Sequence, residues 1–251
     1  MSRVAVVTGG AKGIGRAISD DLAADGFTVV VTGRDEAALD ACVAELRGGG
    51  FTADRAVIDV GNPASVLSSF AAIHVQHGTV DVLVNCAGVV IRSDAEATTD
   101  EDWNKVLATD LNGPFWCARA VAPHMLEAGR GAIINVGSIA ALLGISGRAS
   151  YTTAKAGLTG LTRTLALEWA AGGVRVNTVA PGWTLTDMVQ SGFDAGRLDR
   201  DALLSRIPMQ RLAEPREISA VVAFLASDRA SYLTGQVVVV DGGFAVNGDC
   251  P

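Results

Sequence analysis

Seven short apolar runs limit what this chain can fold into. They occupy residues 4–8, 28–32, 56–58, 80–85, 132–136, 175–179 and 236–240, are rich in Val and Ile, and mostly lack polar alternation. A strand wetted on one face alternates apolar and polar side chains, so these runs read as strands covered on both faces. The segments between them repeat apolar residues at helical spacing. Ile14, Ala17, Ile18 and Leu22 share one helical face, as do Ile218, Val221, Val222 and Leu225 behind Pro215 at a first helical position. Strands alternating with helices of this length make βαβ units with right-handed crossovers. The expected fold is a doubly wound α/β fold, a parallel sheet of about seven strands with helices on both faces, in one domain over residues 1–251. Residues 182–211 break the alternation. They follow a strand end, where a mobile lid over a site is expected.

Composition removes several function classes. Aromatics are only 5% of the chain, so the core is built from Val, Ala, Leu and Ile. A formal net charge of −7 leaves no basic stripe for nucleic acid and argues against anionic membranes. No segment reaches the 18 apolar residues of a membrane span, and residues 1–10 lack a signal-peptide layout, so a cytoplasmic protein is expected. Cys42, Cys86, Cys117 and Cys250 show no metal-ligand spacing. His74 and His77 are three apart with no acidic or Cys partner near in sequence, so no metal is expected.

The stretch T-G-G-A-K-G-I-G, residues 8–15, follows the first strand and opens the first helix. Glycine lets backbone approach a pyrophosphate, and a helix N-terminus supplies N–H groups and a positive dipole end. The spacing is T-G-x-x-x-G-x-G and not G-x-G-x-x-G, but the strand–turn–helix context is that of a dinucleotide site. The second strand ends V-V-V-T-G-R-D-E. Arg34 there can hold a 2′-phosphate in bidentate fashion, and Lys12 in the glycine loop adds a second positive charge. NADP(H) is therefore the preferred cofactor. NAD(H) stays possible through Asp35 or Glu36, since an acidic residue near this point can accept ribose hydroxyls.

Only two tyrosines and three lysines occur in the chain, yet Tyr151 stands four residues before Lys155. In a helix over residues 150–170 the two lie one turn apart on one face. An ammonium beside a phenol favours the phenolate, which makes the phenol usable for proton transfer near neutral pH. Thirteen residues before Tyr151, a strand ends at Ser138. A hydroxyl at that place can hold a substrate carbonyl and stabilise developing oxyanion charge.

T-G-G-A-K-G-I-G at 8–15, N-C-A-G at 85–88, Asn112, Ser138, Y-T-T-A-K at 151–155 and P-G at 181–182 occur in the order and spacing of a known family. The chain resembles the short-chain dehydrogenases/reductases over essentially its whole length, including 3-oxoacyl-carrier-protein reductase-like and gluconate 5-dehydrogenase-like members. The resemblance implies a Rossmann-type fold and hydride transfer between a nicotinamide and a carbonyl or alcohol carbon. It implies that Tyr151 is the acid and base, that Lys155 favours its phenolate and binds the nicotinamide ribose, and that Ser138 holds the substrate oxygen. Asn112 is expected to anchor a water that relays protons through Lys155. Gly9, Gly13, Ile14 and Gly15 would meet the pyrophosphate, and Asp59 and Val60 the adenine. Asn85, Ala87 and Gly88 would flank the cofactor, with Asn85 steadying the sheet. Pro181 and Gly182 would close over the cofactor, and Thr186, or else Thr184, would bind the carboxamide. Cys86 departs from the usual N-N-A-G and removes one polar side chain near the cofactor.

Ala140, Leu142, Arg148, Trp183 and Met188 are expected to face the substrate, and Arg92 lies near the same place. A mostly apolar wall suits a hydrophobic ketone or a keto-acyl chain, while Arg92 offers a partner for a carboxylate. Three readings follow: an NADPH-dependent ketone or 3-oxoacyl reductase, a sugar-acid, polyol or secondary-alcohol dehydrogenase, and a non-catalytic dinucleotide-binding protein. The partner is a small-molecule carbonyl or alcohol, and a homotetramer is expected.

Overall fold

The computed structural model describes residues 3–248, so Cys250 lies outside the described residues. Seven parallel strands form one sheet in the order β3-β2-β1-β4-β5-β6-β7. They are β1 (Val4–Thr8), β2 (Thr28–Gly33), β3 (Ala53–Val57), β4 (Val82–Asn85), β5 (Gly131–Val136), β6 (Val174–Pro181) and β7 (Val237–Val240). Six of the seven apolar runs sit in these strands with shifts of a residue or two. β3 differs: it begins at Ala53 and contains Asp54 and Arg55, because it is an edge strand paired only with β2 and half-exposed.

Each face of the sheet carries its own core. Alternate residues of β1 divide between them, Ala5 and Val7 to one side and Val4 and Val6 to the other. On the first side pack α1 (Gly13–Ala24), α2 (Glu36–Gly48) and α9 (Pro215–Ala226), through Ile18, Leu22, Leu39, Ile218 and Leu225. On the second pack α3 (Pro63–His77), α5 (Gly113–Ala128) and α6 (Ala149–Trp169), through Phe70, Ile73, Val121, Met125 and Leu165. Burying each such side chain contributes about 1.5–3 kcal/mol. The helix starts are written locally: Asn62 caps α3 and Pro63 follows it, while Glu214 and Glu217 form a capping box around Pro215 on α9.

Two departures from regular structure matter for function. Between α4 (Asp100–Leu107) and α5 the backbone makes a π-helical turn over Ala108–Asn112. The segment 182–211 folds into α7 (Asp187–Asp194), capped by Thr186, and α8 (Arg200–Ser205), capped by Asp199. A small third core of Ile139, Leu203, Ile207, Leu212 and Phe244 seats this segment beyond the end of β5.

Among the described residues no helix is long and apolar enough to cross a membrane, and no group of three metal-ligating side chains gathers. His74 stacks on His124, with ring centroids 3.6 Å apart, and His77 pairs with Asp54 at 3.2 Å.

Candidate active site

β1 and β4 are neighbours although the chain runs from β1 to β2, so the strand order reverses between them. Ligands bind outside the carboxyl ends of strands at such a switch point. A cleft of about 890 Å³ opens there.

The glycine loop forms its floor. A Cβ on Gly15 would stand 2.1 Å from the Gly9 carbonyl oxygen, and Gly9 itself has φ +66° with Ala87 backbone 3.0 Å from where its Cβ would be. Only glycine fits either place. α1 then begins with Lys12 at its N-cap position and no side-chain cap. The positive end of the helix is thus open toward the cleft, where Gly13, Ile14 and Gly15 line the wall. The cradle fits a pyrophosphate. Thr8 braces it, its hydroxyl accepting the N–H groups of Cys86 and Ala87 at 3.0 and 3.1 Å. Asp59, Val60, Ala87 and Gly88 line the same cleft. Asn85 does not. It is buried beneath the cleft, and its amide donates to Asn135 at 2.9 Å.

At the end of β2 the charges arrange themselves unequally. Arg34 is exposed on the cleft and has no carboxylate within ion-pair distance among the described residues. Lys12 reaches across to Asp35, 2.7 Å from its carboxylate. Asp35 also accepts the N–H of Ala38 as the cap of α2. The Lys12 hydrogen bond, followed by that from Ala38, holds the Asp35 carboxyl below its ordinary range. Asp35 is thus engaged twice, and Arg34 is the charged side chain left without a counter-ion on the cleft.

Tyr151, Lys155 and Ser138 line the same cleft. The helix spacing places the Lys155 ammonium 5.5 Å from the Tyr151 ring centroid. Lys155 donates to the Val136 carbonyl at 3.0 Å and lies 3.2 Å from Asp110 Oδ2. Burial works against its charge, but Asp110 and Tyr151 outweigh burial and hold Lys155 above the ordinary lysine range. At Asp110 burial is the larger effect and pushes the carboxyl up, against Lys155 and the Val89 N–H. The contact decides between these pulls: Oδ1 accepts the Val89 N–H and Oδ2 lies at ion-pair distance from the ammonium, which favours the ionised acid beside an ionised amine. Ser138 accepts the N–H of Ala140 at 3.1 Å, so its own hydroxyl proton remains to be donated elsewhere. Cys86 also lines the cleft, and burial pushes its thiol up to about 12.

Asn112 falls elsewhere. It is exposed and does not line the cleft; Asp110, two residues earlier on the π turn, supplies the polar group that meets Lys155. The expectation for Asn112 comes from the family resemblance; the π turn over Ala108–Asn112 buries Asp110 and leaves Asn112 exposed.

At the substrate end Arg148, Trp183, Met188 and Arg92 line the cleft, and Arg197 joins them from the segment after α7. Arg148 stacks over Trp183 at 5.3 Å, and Arg92 donates to the Arg197 carbonyl at 3.2 Å. Burial, then the nearby charge of Arg92, lowers Arg148 from its ordinary value. Ala140 and Leu142 are not in the wall. Ala140 is buried in a 3-10 turn, and Leu142 points to solvent with 50% exposure. Pro181, Gly182, Thr184 and Thr186 form the opposite rim. Thr186 faces the glycine loop, its Cγ2 3.5 Å from where a Gly13 Cβ would be.

Residues 9–245 match the family model described as enoyl-(acyl carrier protein) reductase, a model of the short-chain dehydrogenase/reductase family. The chain is a short-chain dehydrogenase/reductase. This dehydrogenase/reductase is 40% identical over 245 residues to D-threitol dehydrogenase of Mycolicibacterium smegmatis, covering 97% of this chain and 93% of that one. It is 39% identical over 241 residues to the 3-oxoacyl-(acyl-carrier-protein) reductase FabG of Escherichia coli, covering 96% of each. A gluconate 5-dehydrogenase from Burkholderia cenocepacia J2315, solved with NADP and tartrate, superposes with a TM-score of 0.93 at 33% identity. That match covers 97% of this chain and 95% of that one. The protein is an NAD(P)-dependent oxidoreductase of the class that acts on CH–OH and keto groups.

Proposed function

We propose that this enzyme reduces a ketone or 3-oxoacyl group to a secondary alcohol, prefers NADP(H), and uses Tyr151 as its acid and base. The observation that carries the reading is that Tyr151, Lys155 and Ser138 line the cleft that the glycine loop also lines, with the Lys155 ammonium 5.5 Å from the Tyr151 ring centroid. A nicotinamide bound in the cradle supplies the hydride. Ser138 donates its hydroxyl to the substrate oxygen and fixes the carbonyl. Tyr151 gives its proton to the forming alkoxide, and the Lys155 ammonium stabilises the phenolate left behind. In the reverse direction the phenolate takes the alcohol proton. Arg34 meets the 2′-phosphate of NADP(H), and Lys12 joins it by leaving Asp35. The NADP bound in the gluconate 5-dehydrogenase relative supports that preference.

A second reading has its own observation. Arg92, Arg148 and Arg197 line the substrate end, and among the described residues none has a carboxylate within ion-pair distance. The half-buried Arg148 guanidinium without a counter-charge, with the exposed Arg92 and Arg197 on the same cleft, favours an anionic ligand. Under this reading the substrate is a hydroxy acid or sugar acid whose carboxylate sits on Arg148. A panel of 3-oxoacyl thioesters, neutral ketones, polyols and sugar acids, run with NADPH, NADH and their oxidised forms, decides between them. Turnover with sugar acids that falls about tenfold or more in Arg148→Ala, while neutral substrates hold, selects the second reading; a bidentate charged contact has that magnitude. Turnover with thioesters alone selects the first. NADPH binding without turnover of any substrate contradicts both. We also infer a homotetramer, with the Val239 side of β7 and the α4–α6 face as its interfaces; Val239 and Leu167 are exposed in the monomer. Light scattering measures it.

A further inference from the structure

β6 reads V-R-V-N-T-V-A-P, and Arg175 is its one charged residue. Val174 and Val176 enter the core on the side of α3, α5 and α6. Strand alternation therefore aims Arg175 at the other covered face, the one that α9 packs on. The register sets Val82 of β4 beside Ala132 of β5, and Ala132 beside Arg175, in one row. An arginine facing a covered sheet face is uncommon unless something meets its charge. A pocket of about 590 Å³ opens at this place, at the opposite end of the strands from the cleft. Ala132 and Ala226 of α9 line it, and their small side chains leave the room. Close-packed interiors hold few voids of even one water, so a space of this size has the dimensions of a ligand site.

The charges of the pocket do not balance. Arg3, Arg130 and Arg175 line it together with Asp81 and Asp228. Asp81 is engaged at both oxygens: one accepts Arg130 Nε at 2.9 Å and the other the Val4 N–H at 2.9 Å. Asp228 is exposed and acts on Arg175 only as a nearby charge. Arg175 Nη2 donates to the Ser227 carbonyl at 3.2 Å, while Nη1 is buried and has no hydrogen-bond partner among the described residues. Burial lowers Arg175 from its ordinary value, and Asp228 offsets only part of this. An orphaned buried donor of this kind marks a place for a bound water or ion. One water satisfies one donor but leaves the surplus of positive charge, whereas an oxyanion meets both. Phe27, 4.3 Å beneath the Arg3 guanidinium, and the wholly exposed Tyr232 add aromatic surface to the same pocket.

We propose that this pocket is a second ligand site, which takes a small oxyanion, phosphate or carboxylate, on Arg175 and Arg130. It shares no residue with the cleft and stands whatever the cleft reduces. Free phosphate and the acid group of an aromatic molecule share this chemistry. The test is calorimetric titration of the enzyme, saturated with NADP to fill the glycine cradle, with inorganic phosphate and with benzoate. One equivalent of at least one probe binds saturably to the wild type. It binds equally to Arg148→Ala, which removes the arginine proposed for carboxylates in the cleft. Affinity falls about tenfold or more in Arg175→Gln and in Arg130→Gln, the loss expected when a hydrogen bond to a charged group is removed. Saturation by phosphate alone assigns the site to free phosphate, and tighter binding of benzoate assigns it to an aromatic acid. Unchanged affinity in either folded variant overturns the proposal, because the anion then sits elsewhere. No saturable binding of either probe up to about 10 mM also overturns it and leaves the pocket to water. Arg130 is exposed, so Arg130→Gln decides if Arg175→Gln does not melt cooperatively.

Discussion

Arg34 and Asp35 are sequence neighbours of opposite charge at the end of β2, and their partners differ. Asp35 is held by Lys12 at 2.7 Å and by the Ala38 N–H, while Arg34 faces the cleft without a counter-ion. A hydrogen bond to a charged group is worth about 1.5–3 kcal/mol, so Arg34→Ser should lower kcat/KM for NADPH about ten- to a hundredfold. The value for NADH should stay within about twofold. Equal loss for both cofactors would place Arg34 outside the phosphate site. Arg34 and Lys12 were legible because a basic side chain at a strand end or in a glycine loop has few other tasks. The Lys12–Asp35 pair was not, since it depends on two loops meeting across 23 residues of chain. Asp110 was hidden for a different reason. The family resemblance places the expectation on Asn112, and residue spacing carries no sign of the π turn that leaves Asn112 exposed.

Among the elements, α6 carries the proposed acid and base, and a buried polar chain fixes it to the sheet. Asn85 of β4 donates to Asn135 of β5 at 2.9 Å, and Asn135 donates to the Thr162 hydroxyl of α6 at 2.9 Å. Thr162 shares a 2.8 Å bond with Thr178 of β6. The chain of bonds sets the rotation of α6, and with it the direction of Tyr151 and Lys155, about three and two turns earlier. Thr162→Val leaves the Asn135 amide without its acceptor. Chemical denaturation should show a loss of about 1–3 kcal/mol, the usual penalty for a buried donor left unpaired. An unchanged midpoint would mean that the network contributes nothing net. The strands themselves were legible because burial on both faces writes an unbroken apolar run. β3 was cut short in the sequence reading because an edge strand half-exposed to water carries Asp54 and Arg55 like any surface segment. The helices of 182–211 were not legible as helices, being short and partly polar; α8 spans six residues, Arg200–Ser205.

The whole molecule turns one topological fact into chemistry. The strand order reverses between β1 and β4, so the loops after β1, β4, β5 and β6 converge on one cleft. Sequence periodicity gives parallel strands and two covered faces, but it does not state which strands are neighbours. Strand order and register come from the structure. The glycine cradle, the Arg34 site and the Tyr151–Lys155 pair are separate parts of that cleft, so binding and proton transfer can be separated experimentally. The most direct test is Tyr151→Phe, measured for NADPH affinity by fluorescence and for turnover with the best substrate of the panel. Positioned general acid–base catalysis contributes about 10²–10⁴-fold. The variant is expected to bind NADPH with wild-type affinity and to lose turnover by about that factor. Turnover within about threefold of wild type, with binding intact, would contradict the account.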